Sequence, residues 1–307
     1  MSLKVSVQIA TRDRVKPLCR AIASVLSQDY ANFEVLVLDD ASDSADVCGA
    51  VRATFDDPRI RCLRSEEWLG IAGVRSRMME LGDGDIYCSI DDDGAFAHEG
   101  CLTLIVAAFQ KDAQLGLLAG KIRDYRDGRE RLLLPFGKAS LAADPSLPEG
   151  RHKVSYFLAG CYAVRREVAE LCGGYRPEMK YGEEELDFSY RIIAAGYDIV
   201  YDPEVVAYHW PEPSAIRSER QGGHSEIYYQ IKNRFRLMYS YIPGQYIPTY
   251  AAIWFSRYLV TSLKRGVLRD YFAGMWDGMR EMRRGSRSRL DRKAVAYLRQ
   301  HHGRLWY

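Results

Sequence analysis

Three carboxylates in succession, Asp91-Asp92-Asp93, close the apolar segment Asp85 to Ile90 and are followed by Gly94. Charge of that density is costly to hold in one place unless a cation or a strong hydrogen-bond network neutralises it. Side-chain alternation along a strand sends Asp91 and Asp93 to one side and Asp92 to the other. Two oxygen donors on one side suit a hard divalent ion such as Mg2+ or Mn2+, which keeps open positions for phosphate oxygens. The same residues also suit a turn in which Asp accepts backbone N–H groups. The triplet alone leaves both uses open.

The elements that must deliver it surround it in the first hundred residues. Lys4 to Ala10 reads as a strand, and Arg14 to Gln28 as a helix with Val15, Leu18, Cys19, Ile22, Val25 and Leu26 on one stripe, Asp13 as its cap and Pro17 in its first turn. Phe33 to Leu38 is a near-continuous apolar run that suits a strand buried on both faces. Ala45 to Phe55 and Ile71 to Leu81 read as helices, Ile60 to Leu63 and Ile86 to Ile90 as strands. This is the rhythm of a doubly wound α/β sheet, which binds ligands at the carboxyl ends of its strands. Those ends carry Ala10-Thr11-Arg12, Asp39-Asp40 and Asp91-Asp92-Asp93. No Gly-x-Gly-x-x-Gly follows the first strand and no Gly-Lys-Ser or Gly-Lys-Thr loop is present, which argues against a dinucleotide dehydrogenase and a P-loop enzyme.

Composition sets the outer bounds. A chain of 307 residues with 47% hydrophobic content can bury one large core, or one domain with an appended helical part. The net charge of +2 conceals an asymmetry: residues 257–307 carry 13 Lys and Arg against 4 Asp and Glu, leaving 30 against 37 in residues 1–256. Seven cysteines, at 19, 48, 62, 88, 101, 161 and 172, have no short paired spacing, and they predict reduced core thiols in a cytosolic protein. The first residues enter strand pattern with no basic-then-apolar leader, so no secretory signal is expected. Tyr246 to Leu263 is interrupted by Pro248 and Arg257 and falls short of the ~20 apolar residues that span a bilayer.

Taken in order, these segments resemble the inverting glycosyltransferases of family 2, which have the GT-A fold. The likeness begins with Val5-Ser6-Val7-Gln8-Ile9-Ala10-Thr11-Arg12-Asp13-Arg14, Ser24-Val25-Leu26-Ser27-Gln28 and Phe33 to Ser42. It continues through Gly70 to Arg75, the Asp91–Asp93 triplet, Gly173-Gly174-Tyr175, Glu184-Glu185-Leu186-Asp187-Phe188 and His209, covering residues 4–240. The resemblance implies a mixed sheet flanked by helices as a catalytic domain over 1–240, with 241–307 a basic, helical C-terminal extension. It implies a Mn2+ or Mg2+ cofactor with Asp93 as direct ligand, Asp91 assisting and His209 as a further ligand. Thr11 and Arg12 would approach the base and diphosphate of a donor, Asp40 with Asp39 would bond its pyrimidine or ribose, and Arg75 would meet its diphosphate. Asp91 and Asp92 are grouped with these nucleotide-binding residues. Ser76-Arg77 departs from the family's usual Arg-Asn.

Family members of this kind move a sugar from a nucleoside diphosphate, here UDP or dTDP, to a hydroxyl of a saccharide or lipid-linked acceptor, in polysaccharide or glycoconjugate assembly. Inversion requires a carboxylate that takes the hydroxyl proton. Aligning the family's acidic motif on Asp187 assigns that base to Glu185, with Glu184 the second choice. The same acids also suit the first turn of a helix that buries Phe188, Ile192, Ile193 and Tyr197. Asp124 to Lys153 reads as a long loop or lid, and Val154 to Val164 as a strand in which Gly160 lets the backbone pass close to a ligand. Tyr228 to Tyr241 and Ile253 to Arg284 are helical in period. Leu268, Tyr271, Phe272, Met275 and Met279 form one stripe, ringed by Arg265, Arg269, Arg280, Arg283 and Arg284. That stripe is expected to pack on the catalytic domain or a second subunit, or to touch a membrane peripherally from the cytoplasmic face. A nucleotidyltransferase that makes sugar nucleotides would share metal and sheet but lacks its Gly-rich loop here. A non-catalytic nucleotide-sugar-binding protein, or a nucleic-acid binder, gives no reason for the acids at 91–93 and 184–187, and no nucleic-acid partner is expected.

Overall fold

The apolar runs of the first ninety residues become the parallel half of one sheet. In a computed structural model that describes residues 2–211, 223–282, 287–303 and 305, β1 (Val5–Thr11), β2 (Phe33–Asp39), β3 (Ile60–Arg64) and β4 (Ile86–Ile90) lie in the order β3-β2-β1-β4, all parallel. Helices α1 (Val15–Leu26), α2 (Val47–Thr54) and α3 (Gly70–Leu81) return the chain between them, as parallel pairing requires. Every position of β2 is buried, the physical reason its sequence does not alternate. Thr11 pairs with Asp39, and Asp39 with Arg64, so the carboxyl ends of three strands stand side by side.

Beyond β4 the sheet is mixed. β9 (Cys161–Arg165) inserts antiparallel between β4 and β6 (Leu115–Arg126), and β10 (Asp198–His209) runs parallel to β6. β5 (Gly94–Phe96) pairs antiparallel with β10, whose register sets His209 opposite both Gly94 and Asp124. α4 (Cys101–Lys111), α6 (Arg166–Cys172) and α7 (Glu184–Ala194) cover the faces. The expected lid is instead largely ordered: β6 continues to Arg126, turns at Asp127-Gly128 and folds back as β7 (Arg129–Leu133). α5 (Lys138–Ala143) and β8 (His152–Lys153) follow. The strand expected over Val154–Val164 is confined to Cys161–Arg165.

The C-terminal helices are α8 (Glu226–Tyr241), α9 (Ile247–Arg265), α10 (Leu268–Met282) and α11 (Arg292–Gln300). The single helix expected over Ile253–Arg284 is thus two. Gly266, at φ 68°, caps α9 in the left-handed region that glycine reaches without penalty, and Pro248 sits in its first turn, where a missing N–H costs nothing. Arg283 and Arg284 lie outside the described residues. The predicted stripe on α10 is also divided. Tyr271, Gly274 and Gly278 form its buried face, while Phe272 and Met279 turn to solvent. The glycines let the two helices approach: a Cβ at Gly274 would lie 2.7 Å from the Tyr228 carbonyl oxygen, and one at Gly278 2.6 Å from the Phe235 ring. These helices do not build a core of their own. Tyr241, Tyr250, Trp254 and Leu298 share one apolar cluster with Tyr162, Tyr175 and Phe188 on one face of the sheet, while Val7, Val35, Ile22 and Phe109 belong to a second cluster.

The expectation of seven thiols is corrected. Cys48 on α2 and Cys62 on β3 form a disulfide, with Cα atoms 5.4 Å apart, because α2 packs beside β3; the other five cysteines are free. Their separation of 14 residues is no short-motif signal. Among the described residues no helix is long and apolar enough to cross a membrane.

Candidate active site

The turn after β4 does what alternation predicts. Asp91 and Asp93 face a cavity of about 470 Å³, and Asp92 points the other way. His209, the last residue of β10, places Nε2 3.3 Å from Asp93 Oδ1 and 4.0 Å from Asp91 Oδ2, while its Nδ1 is 2.6 Å from Asp124 Oδ1. One ligand atom from each of Asp91, Asp93 and His209 lies within 4.8 Å of the others. Two carboxylate oxygens and an imidazole nitrogen form a donor set that fits Mn2+ or Mg2+, and Asp124 orients the ring in the manner of a metal-ligand partner. Burial opposes charge on His209, but the hydrogen bond to Asp93 and the charges of Asp91 and Asp93 outweigh it and raise the ring to about 9. A divalent cation bound here would take the place of that proton, since ligation needs the neutral imidazole.

Arg14 completes this corner and was read from sequence only as a helix start. Its Nη1 donates to Asp93 Oδ2 at 2.8 Å, and its Nη2 lies 2.5 Å from Asp92 Oδ1. Asp92, which the resemblance groups with the nucleotide-binding residues, does not line this cavity. It is fully buried against Arg14, and burial pushes its carboxyl up to about 7, with Arg14 opposing.

Arg75, buried on α3, ties the two acidic clusters together. Its Nη1 donates to Glu184 Oε1 at 3.0 Å, and its Nη2 lies 3.5 Å from Asp91 Oδ1. Glu184 is buried and Glu185 half-buried, and both line the cavity at the start of α7. Burial raises both carboxyls; the adjacent Glu185 charge adds to the rise at Glu184, to about 8, against the pull of Arg75. The loop before them bends sharply, with Lys180 at φ 59° and Glu183 at φ 70°. Asn233 of α8 holds it there, its Nδ2 donating to the carbonyls of Met179 at 2.9 Å, Tyr181 at 3.0 Å and Gly182 at 2.7 Å. Glu183 is engaged by Arg234 at 2.5 Å and by the Tyr258 hydroxyl at 2.9 Å. Asp187 lies fully buried between Arg191 and the Tyr241 hydroxyl, outside the cavity. The far wall carries Tyr156, Phe157, Gln230 and Arg234.

The remaining sequence-derived residues stand on the same sheet edge but do not line this cavity. Thr11 is buried, and Arg12 donates to Asp43 at 2.8 Å. Asp39 accepts from the Ser42 N–H at 3.0 Å and pairs with Arg64 at 3.3 Å. Asp40 accepts from the N–H groups of Leu69 at 2.7 Å and Gly70 at 3.0 Å, and its burial raises its carboxyl. One local expectation changes. Asp13 does not cap α1 but accepts from the N–H groups of Asp43 and Ser44; α2 is capped by Asp46, which accepts from Gly49 N–H. Gly160 passes the triplet itself: a Cβ there would lie 3.0 Å from Asp91 Oδ2. Asp124, Asn233 and Arg234 escaped sequence reading because their partners lie 85, 52 and 51 residues away. The only local signal was Asp124's place at a strand end, masked by the hairpin's polar composition.

The family model described as Glycosyl transferase family 2 matches residues 6–172, just over half the chain. The uncharacterized protein y4gI of Sinorhizobium fredii is 26% identical over 223 residues, covering 67% of this chain and 24% of its own length. The putative colanic acid biosynthesis glycosyl transferase WcaA of Escherichia coli is 35% identical over 89 residues, covering 29% of this chain and 32% of its own. The amylovoran biosynthesis glycosyltransferase AmsB of Erwinia amylovora is 25% identical over 217 residues, covering 66% and 69%. The chain therefore spans about a quarter of the first of these relatives and about a third of the second. Among solved structures, GalNAc-T7 with UDP, GalNAc and Mn2+ superposes with TM-score 0.65 at 18% identity, over 81% of this chain and 51% of its own. The Pyrobaculum calidifontis mannosyltransferase PcManGT with GDP-Man and Mn2+ gives 0.58 at 19%, over 98% and 79%. These likenesses are of fold, and the fold is GT-A. With the matched region carrying the parallel strands, Arg75 and the Asp91–Asp93 turn, the chain belongs to glycosyl transferase family 2.

Proposed function

We propose that the protein is an inverting, divalent-metal-dependent glycosyltransferase that moves a sugar from a UDP or dTDP donor to a hydroxyl of a saccharide or lipid-linked acceptor. The observation that carries this reading is the meeting, in one cavity and through Arg75, of the Asp91, Asp93 and His209 cluster with the acids Glu184 and Glu185. Relatives named for colanic acid and amylovoran biosynthesis support a role in polysaccharide assembly. Neighbours solved with UDP or GDP-Man and Mn2+ support the donor class and the metal.

Asp91, Asp93 and His209 would hold the ion, which when bound supplies Lewis-acid neutralisation of the leaving diphosphate. Arg75 brings a buried, poorly screened positive charge to the same place. Glu185 removes the proton of the acceptor hydroxyl as its oxygen bonds to the anomeric carbon and the bond to the diphosphate breaks on the opposite face. Its raised pKa makes the ionised carboxylate a stronger base than an exposed glutamate. Glu184, gripped by Arg75, holds the guanidinium between base and triplet. Thr11, Arg12, Asp39 and Asp40 stand on the edge where the nucleoside would lie. Residues 1–240 act as the catalytic domain in this reading, with 241–307 as its helical extension.

The test is turnover of UDP- and dTDP-sugars with Mn2+ and a panel of saccharide acceptors. Nucleoside diphosphate should be released, and product NMR should show the inverted anomer. Pyrophosphate release, a retained anomer, or no turnover of any donor rejects the proposal.

A further inference from the structure

Of the nine large apolar side chains exposed among the described residues, six lie on α9 and α10: Ile253, Val260, Leu263, Phe272, Trp276 and Met279. Phe272, Trp276 and Met279 repeat at i, i+4 and i+7, so they form one face, opposite the glycines that meet α8. Phe272 and Trp276 are each 62% exposed. On α9, Ile253, Arg257, Val260 and Lys264 make a second exposed stripe of the same periodicity.

Charge on α10 is sorted by direction. Its three acids turn back onto α8 and the residues that lead into it: Asp270 accepts from Ser225 N–H at 2.9 Å, Asp277 from the Tyr228 hydroxyl at 2.8 Å, and Glu281 pairs with Lys232 at 2.7 Å. Its bases Arg269 and Arg280 are exposed beside the apolar face, and the sequence beyond adds Arg283, Arg284, Arg287 and Arg289 before the next acid at Asp291. A second copy joined across a two-fold axis would set this basic face against itself. An anionic lipid surface is complementary on both counts, because aromatic and aliphatic side chains enter the headgroup boundary while arginines meet phosphates.

We propose that the outer face of α9 and α10 docks onto an anionic lipid surface, lying in the interface without crossing it. The inference stands apart from the proposed transfer reaction, and its test uses neither donor nor acceptor. The full chain is floated at low salt with phosphatidylcholine vesicles, with and without phosphatidylglycerol. Binding should require phosphatidylglycerol and weaken by about thirtyfold or more in Arg269→Glu/Arg280→Glu, as expected for bases near a charged bilayer. Phe272→Ser/Trp276→Ser should lose binding at every lipid composition while its circular dichroism stays unchanged. Failure to float with anionic vesicles, flotation that the arginine variant leaves unchanged, or a sedimenting dimer that the Phe272→Ser/Trp276→Ser variant dissociates each overturns the proposal.

Discussion

Glu184 and Glu185 are neighbours in the chain with opposite assignments: Arg75 grips the first, while the second lines the cavity without that clamp. Glu185→Gln should lower transfer by about a thousandfold, the scale of a lost general base, with donor affinity by calorimetry unchanged because a base acts in the transition state. Unchanged turnover would remove Glu185 from the mechanism. The pH dependence has a definite sign. Burial raises both carboxyls, so the base is protonated at low pH and activity should rise with pH through an apparent pKa above the usual carboxylate range. Glu184→Gln frees Arg75, whose charge already pulls the Glu185 carboxyl down, to favour ionised Glu185 further, so the acid limb of the kcat profile should move to lower pH; a move to higher pH contradicts the assignment. Asp93→Ala removes a ligand from the cluster and should abolish the gain in donor affinity that Mn2+ provides, read by calorimetry with and without the ion.

At the scale of elements, the site depends on α8 clamping the loop that precedes α7. Asn233→Ala would leave the carbonyls of Met179, Tyr181 and Gly182 without their shared donor. The expected cost is about 2 kcal/mol in urea unfolding, together with a fall in kcat larger than the change in KM as Glu185 loses its position. An unchanged unfolding midpoint would show that the clamp carries no energy. The α8–α10 contact rests on close approach, so Gly278→Val should force a side chain against Phe235 and destabilise by about 1–3 kcal/mol as an overpacked core does.

For the molecule as a whole, the Asp91–Asp93 turn follows the last parallel strand, β4, while His209 ends β10 and Glu184 and Glu185 open α7, so a donor bound as proposed would bridge both halves of the fold. UDP with Mn2+ at a hundredfold excess over its Kd should stabilise the fold by about 2.7 kcal/mol, seen as a raised Tm that EDTA reverses and that Asp93→Ala lacks. A missing shift in the native protein would count against the metal and donor assignment together. Alkylation of the unreduced, denatured chain should label the five free cysteines and spare Cys48 and Cys62 until a reductant is added.

Local order determined a large part of this protein. Period and alternation alone placed β1 to β4 and α1 to α3 within a few residues, and set Asp91 and Asp93 on the side opposite Asp92, because strand geometry within one segment needs no partner. The family likeness added Arg75, Glu185 and His209 as residues to look for. Only the tertiary structure decided how they meet. The antiparallel insertion of β9 and the register of β10 carry His209 to Asp93 and Asp124, and the pairing of Cys48 with Cys62, Arg14 with Asp92, and Asn233 with the α7 loop all join segments whose contact is set by packing. The apolar stripe of α10 failed as a guide for the same reason. Period identifies an apolar face, but glycines at 274 and 278 gave the closer approach to α8, and Phe272, Trp276 and Met279 were left on the outside.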